Sequence, residues 1–371
     1  MSDKSIKWVT KAEQIEQMIR DQVQSGSLKV GEKLEAETAL ARQLGVHRLT
    51  VNKAMATLVR EGLLRRVQGR GTFVAEPKAH LETGTLGVLY SAAPDRLRSD
   101  SFYGRILDGL REETKGDVLL LGRSGGANKM AGPDLDELAW DRVDGLVLLE
   151  VFDEDYIASA IKRSPVPVVI VDYEPTRVKC DYAILDNYQG IRSATDHLLK
   201  LGHKRIACVG EPPPPQKINV DPAWQDRRKG WEDAMKAAGH TDLKRLFYAL
   251  PGRGAAGLEA FMEQALALPP AERPTAWVCA GDDIAIKLIA LAQQAGVKVP
   301  QQMSFTGFGN FDPATWTRPT LTTCKADFAE MGRWAARKIR ERRAGEKGPA
   351  QRHVVPVLLV ERDSCAPPPK S

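Results

Sequence analysis

LARQLGVHRLTVNKAMATLVREGLLRRVQGRGTFV, residues 40–74, decides how the amino-terminal part of this chain folds. Leu40, Leu44, Val51, Ala54, Met55 and Leu58 recur at helical spacing, and Gly45 interrupts them where two short helices need a sharp connection. Two short strand-like segments follow, at 63–67 and 72–74. They are joined by Gln68-Gly69-Arg70-Gly71, whose glycines permit positive φ in a tight hairpin and leave Arg70 at its tip. The pattern predicts a helix-turn-helix with a β-wing. Between positions 42 and 74 the basic residues are Arg42, Arg48, Lys53, Arg60, Arg65, Arg66 and Arg70, and the acid among them is Glu61, so this surface suits nucleic-acid phosphate.

Charge along the rest of the chain sharpens that reading. The first 80 residues hold 14 Lys+Arg against 9 Asp+Glu, which accounts for the whole formal excess of +5 over 371 residues. A chain this long predicts more than one packed unit. A membrane-surface role for the basic region would need an amphipathic helix with an exposed aromatic or leucine face, and none accompanies it. Without a signal-like apolar run or a bilayer-length stretch, the chain is expected in the cytoplasm with no membrane partner. Cys180, Cys208, Cys279, Cys324 and Cys365 are odd in number and scattered, which predicts reduced core residues rather than a disulfide framework. His80, His197, His203, His240 and His353 lack metal-ligand spacing, so no metal and no cofactor is expected.

After a polar, proline-containing stretch at 76–84, the hydrophobic pattern changes. Apolar runs at 86–90, 118–121, 146–149, 166–171, 206–209, 277–279, 304–308 and 354–360 predict strands, and helical periodicity at 102–113, 188–201, 223–238, 284–295 and 327–343 fills intervals between them. Unbroken apolar strands alternating with helices imply an α/β fold whose parallel sheets are covered on both faces. Ligands in such folds bind beyond the carboxyl ends of the strands, so the loops after Tyr90, Glu150, Val171, Gly210, Ala280 and Phe308 are the ones to search. They carry Asp172, Arg227, Asp282 and Asp283, with Tyr173 and Trp224 nearby; guanidinium, carboxylates and aromatic faces together suit a sugar or another small polar metabolite. Phe102 and Tyr103 are added to this set. For Asp282 and Asp283 the alternative is a helix cap.

Two resemblances rest on these residues. The L-x-x-x-L-G-V turn at 40–46, R-x-T-V-x-x-A at 48–54, EGLL at 61–64 and GRGTFV at 69–74 resemble the winged helix-turn-helix of the GntR family over roughly residues 8–74. The resemblance implies that Arg48 reads a base edge or anchors on phosphate, that Thr50 contacts phosphate, and that the wing at Gly69, Arg70 and Gly71 probes the minor groove. Thr38, His47, Asn52 and Lys53 complete the expected DNA-facing set. Departures are visible: LEAET at 34–38 replaces the usual LPSER, His47 stands where Ser or Thr is usual, and Asn52 where Arg is frequent.

From about residue 86 to 365 the chain resembles the two-lobed periplasmic-binding-protein-like effector domain of the LacI family. RVDGLVLL at 142–149, PVVIVD at 167–172, LDNYQG at 185–190, HLLKLGHKRIACVG at 197–210, RRKGWEDAMKAAG at 227–239, CAGDDIAI at 279–286, GVKVPQQMSFTGFGN at 296–310 and PTLTT at 319–323 carry it by their order. It implies that Asp172 and Arg227 contact the effector. Gly281 and Gly309 stand where the family often has Asn and Asp, so two polar contacts are missing, and Asn310 and Asp312 replace them only if their loop is shifted. The prolines at 212–215 stiffen a neighbouring loop.

The expected organisation is a winged helix-turn-helix at 1–75, a linker at 76–84, and an effector-binding and dimerisation domain at 85–371 with lobe crossings near 185, 310 and 323–350. The expected function is that of an arabinose-repressor-type regulator. As a homodimer it binds a palindromic double-stranded DNA operator, and a sugar or sugar derivative changes its affinity. The rivals are a solute sensor that ignores DNA and a pyridoxal-phosphate enzyme behind a GntR-like head. The latter needs a longer chain and a Schiff-base lysine, and no catalytic constellation emerges.

Overall fold

The computed structural model describes residues 10–60, 62–75, 83–90, 102–114, 117–123, 135, 138, 140–210, 222–250 and 257–369. The chain divides into two compact units, Met1–Leu81 and Glu82–Ser371. The expected linker and the proline run at 212–215 fall almost wholly outside the described residues.

In the first unit, α1 (Lys11–Gln24) precedes the predicted motif and was not visible in its pattern. A capping box starts it: the Thr10 hydroxyl accepts from the Glu13 amide at 3.2 Å, and Glu13 accepts from the Thr10 amide at 2.6 Å. Helices α2 (Glu37–Gln43) and α3 (Arg48–Arg60) flank the turn, where Gly45 sits at φ +63°. Strands β1 (Leu64–Val67) and β2 (Gly71–Val74) form the wing, with Gly69 and Gly71 at φ +73° and +114°. Segment 31–34 fastens β2 from its other side, through Leu34 N to Thr72 O at 2.9 Å and Val74 N to Glu32 O at 2.8 Å. Val51, Ala54, Met55 and Leu58 are fully buried and pack with Ile15, Ile19, Leu34, Leu64 and Val74, so one apolar core carries helices and wing together.

The second unit is built on two sheets. The first has the order β13-β7-β6-β5-β3-β4, all parallel, from β3 (Leu86–Tyr90), β4 (Val118–Arg123), β5 (Gly145–Leu149), β6 (Val168–Val171), β7 (Asp181–Leu185) and β13 (Arg352–Val355). The second has the order β14-β12-β11-β10-β8-β9, from β8 (Ile206–Gly210), β9 (Phe247–Ala249), β10 (Ala276–Cys279), β11 (Ser304–Phe308), β12 (Thr322–Ala326) and β14 (Val357–Val360), with β14 antiparallel. Residues of β5, β8, β10 and β11 are buried throughout, as both-face coverage by helices requires. Helices α4 (Phe102–Glu113) and α11 (Phe328–Arg343) cover the first sheet and pack against each other at very close range: a Cβ on Gly109 would meet Ala329 O, and one on Gly332 would meet Ile106 O. Helices α5 (Glu154–Arg163), α6 (Asn187–Lys200), α7 (Pro222–Ala237), α8 (Leu258–Ala267), α9 (Asp282–Gln294) and the short α10 (Pro313–Trp316) complete the described helices.

The chain crosses between the sheets three times: from β7 to α6 at 185–187, from β12 to α11 at 326–328, and from β13 to β14 at 355–357. The crossing expected near 310 is not there, because β11 and β12 on either side of it are neighbours in one sheet, with Thr306 opposite Thr322. The single strand expected at 354–360 is two strands in different sheets. Pro356 between them has no N–H to give a ladder.

Candidate nucleic-acid interface and effector cleft

On the first unit, α3 begins with Arg48, whose side chain is 66 % exposed. His47 precedes it and its Nδ1 accepts from the Leu49 amide at 3.2 Å, so this imidazole caps the helix start in the manner of an N-cap side chain. Thr50 is half-buried, while Thr38, Lys53 and the wing tip Gly69, Arg70 and Gly71 are exposed. Asn52 turns inward to Glu37, giving its amide to both carboxylate oxygens at 3.0 Å. Arg66 Nη2 reaches the same carboxylate at 2.9 Å, and Arg48 Nε lies 3.7 Å from it. Sequence reasoning missed Glu37 and counted Arg66 only as one of the basic residues, outside the expected DNA-facing set. The acid lies just before the stretch whose charge drew attention, and only the fold brings it under α3 and the wing.

On the second unit, the described non-glycine residues with positive φ are Glu150 (+55°), Asp172 (+63°) and Asn310 (+51°). All three follow the carboxyl ends of strands, β5, β6 and β11. Such backbone costs about 1–3 kcal/mol per residue and collects at ligand sites. Asp172 is buried, its amide bonded to Ala183 O at 2.8 Å. Arg227, on α7, donates Nε to Asn187 Oδ1 and Nη1 to Ala280 O, each at 2.8 Å. Its guanidinium lies 3.8 Å over the Phe308 ring and 5.6 Å from that of Trp224. One planar cation therefore joins the first crossing to the ends of β10 and β11. Sequence reasoning missed Asn187, which reads as an ordinary residue in the first turn of α6.

The other expected effector contacts are engaged within the protein. Tyr103, 2 % exposed, donates its hydroxyl to Glu150, and Phe102 stands edge-on to Tyr103 and to Phe328, both at 5.2 Å. Tyr173 donates to Glu154 at 2.8 Å, and burial together with that carboxylate pushes its phenol pKa up. Glu154 also takes the Thr176 amide and hydroxyl at 2.6 and 2.8 Å and the Arg177 amide at 3.3 Å, which ties the loop after β6 to α5. Burial works to raise the Glu154 pKa, yet these donors outweigh it and the net direction is down. Asp282 is 2 % exposed; it accepts the Thr323 hydroxyl and, at 2.9 Å, the Phe311 amide. Burial raises its pKa to about 6 against those two donors. It is no side-chain cap, since Gly281 holds the N-cap position of α9.

Gly309 has a backbone reason: at φ +130° an added Cβ would sit 2.3 Å from the Phe311 ring. At Gly281 the obstruction is the Asp283 carboxylate at 2.5 Å. Asn310 and Asp312 do not stand in for the missing groups, because Asn310 Oδ1 accepts from Arg362 at 2.5 Å and Asp312 meets Arg105 at 3.5 Å. Among the described residues no group of acidic, histidine and cysteine side chains is arranged to hold a metal, and no helix is long and apolar enough to cross a membrane.

Residues 11–74 match the bacterial regulatory proteins of the gntR family, and 195–365 the periplasmic binding protein-like domain. The chain is 31 % identical to an arabinose metabolism transcriptional repressor of Geobacillus stearothermophilus, over 88 % of this chain and 89 % of that one. The chain belongs to the family of transcriptional repressors that join a GntR-type head to a LacI-type, periplasmic-binding-protein-like domain. It is also 31 % identical to the HTH-type transcriptional repressor PurR of Photobacterium profundum, over 70 % of this chain and 75 % of that one. A LacI family regulator from Enterococcus faecium with bound ribose shares the fold at TM-score 0.62 and 22 % identity, covering 76 % of this chain and 99 % of its own. The CelR–cellobiose complex does so at TM-score 0.63 and 22 % identity, covering 89 % and 100 %. The regulator is thus a DNA-binding transcriptional repressor in type, as the named relatives are transcriptional regulators.

Proposed function

We propose that this regulator binds a palindromic operator as a homodimer and that a sugar or sugar derivative, held between the lobes, changes its affinity for that operator. Arg48, Thr50, Lys53 and the wing at 69–71 meet DNA, with His47 fixing the start of α3 and Thr38 and Asn52 beside it. Asp172 and Arg227 hold the effector, flanked by Tyr173, Trp224, Phe102 and Tyr103. The observation that carries this reading is the position of Glu150, Asp172 and Asn310, three strained residues at strand ends, with Arg227 spanning from Asn187 to Ala280 and Phe308. The relatives support the ligand class: one is named for arabinose metabolism, and two structures of like fold contain ribose and cellobiose.

Three crossings allow the two sheets to rotate relative to one another, and a ligand touching both sides favours the arrangement in which both sets of contacts form. The effect on DNA then follows by linkage. A thermal-shift screen of sugars and sugar phosphates tests the reading, since a ligand at about 100 times its Kd stabilises the folded state by about 2.7 kcal/mol. The wild type should shift with at least one sugar-class ligand, and Arg227→Ala should lose that shift while still binding DNA. A panel without response, or a mutant that keeps the wild-type shift, removes the assignment.

A further inference from the structure

Glu37 opens α2 and is the one described carboxylate paired with Arg48 and Asn52 of the expected DNA-facing set and with Arg66 of the basic wing strand. Its side chain is 18 % exposed, whereas those of Arg48 and Arg66 are 66 % and 44 % exposed. Arg48 and Asn52 stand one turn apart on α3, and Arg66 projects from the first strand of the wing. One buried-side anion thus joins three elements that would face the duplex. A carboxylate offers a guanidinium the same forked pairing that a phosphate offers. Glu37 and a DNA phosphate therefore compete for the same two cations.

The competition has unequal consequences on different DNA. Binding to arbitrary sequence rests almost wholly on phosphate contacts, so each arginine retained by an internal acid is one contact fewer. At a specific site Arg48 gains from being held in one orientation toward a base edge, where a bidentate pair is worth more than a mobile contact. We propose that Glu37 is a positioning residue for specificity: it withholds Arg48 and Arg66 from arbitrary phosphate, orients Arg48 for the bases, and so widens the gap between operator and non-operator affinity. This rests on the DNA-binding reading of the head.

The full-length chain and its Glu37→Gln variant are titrated on a random-sequence duplex and on a duplex selected from a random pool by the wild type, over about 50 to 200 mM salt. Gln keeps the length and an acceptor for Asn52 but removes the charge. The expected result is tighter binding to random sequence, a plot of log K against log salt steeper by about one to two, and a roughly tenfold smaller ratio of selected to random affinity. A slope that is unchanged or shallower overturns the proposal. If Glu37→Gln does not fold, Arg66→Gln decides: an arginine already neutralised inside the protein should leave the slope on random DNA nearly unchanged, and a loss of a full unit overturns it. Failure of the wild type to bind any duplex is a different outcome and removes the reading of the head itself.

Discussion

Asp282→Asn separates the cost of a buried charge from the hydrogen bonds that organise the strand-end loop after β11. The wild-type carboxyl is 2 % exposed and burial raises its pKa to about 6, while an unfolded chain returns it to about 3.9. Because the folded pKa is the higher one, the native state binds the extra proton between about pH 4 and pH 6, and stability falls as pH rises through that window. A gap of about two pH units at about 1.4 kcal/mol each makes this one group worth about 3 kcal/mol, fully present only well below about pH 4 and lost by pH 7. Asn cannot titrate; with its Oδ1 accepting from the Phe311 amide its Nδ2 is left to donate to the Thr323 hydroxyl, and whatever cost this rearrangement carries is the same at every pH. The two effects differ in form, one sloping and one constant. Urea titrations of the full chain at several pH values, followed by the fluorescence of the buried Trp231 and Trp277, measure both. Wild-type stability minus mutant stability should decline by roughly 2 kcal/mol from pH 4 to pH 7. A difference that is flat, or that grows with pH, refutes a raised carboxyl at this site.

Arg48→Ala should abolish specific DNA binding in a gel-shift titration without altering the fluorescence-detected unfolding of the second unit; unchanged operator affinity would remove Arg48 from the reading set. Arg227→Lys keeps the charge but cannot donate to Asn187 and Ala280 in the planar fork, so ligand-induced thermal shifts should shrink while DNA binding persists. Gly309→Ala places a Cβ against the Phe311 ring in left-handed backbone, and a loss of several kcal/mol is expected in the same urea titration, about 1–3 of it from the backbone alone; a loss below 1 kcal/mol contradicts the strain.

Periodicity made most of the architecture legible because apolar burial writes it directly. Residues 102–113 and 304–308 match α4 and β11 end to end, and Gly45, Gly69 and Gly71 occupy the left-handed backbone that the turn and wing demanded. The misses share a cause. Strands β7, DYAIL, and β12, TTCKA, carry polar residues on faces that meet other side chains, so a run-length criterion passes over them. Pro356 marks a change of sheet that local pattern cannot distinguish from the middle of one long strand. Helix α1 escaped because its polar residues outnumber Ala12, Ile15 and Ile19, the three that enter the head core.

The site was legible as residue types and not as relations. Asp172 lies at the strand end where the search looked, whereas Arg227 sits inside α7 rather than in a strand-end loop, and Asn187 and Glu37 meet partners 40 and 11 to 29 positions away, at distances no spacing rule reports. Gly309 shows why. Read as a letter, it is a missing polar contact; in the fold it is what allows Phe311 to stack on Phe328 at 5.5 Å and 5°, with Arg105 5.0 Å over the Phe311 ring. Phe328 begins α11 at the second crossing, and Phe102 of α4 meets its edge at 5.2 Å. A column of rings therefore connects the first sheet's helices to the loop that ends β11 in the second. An aspartate at 309 would clash with that ring. The polar group the family resemblance leads one to seek at 309 has no room there, because any Cβ at this left-handed position would meet the Phe311 ring.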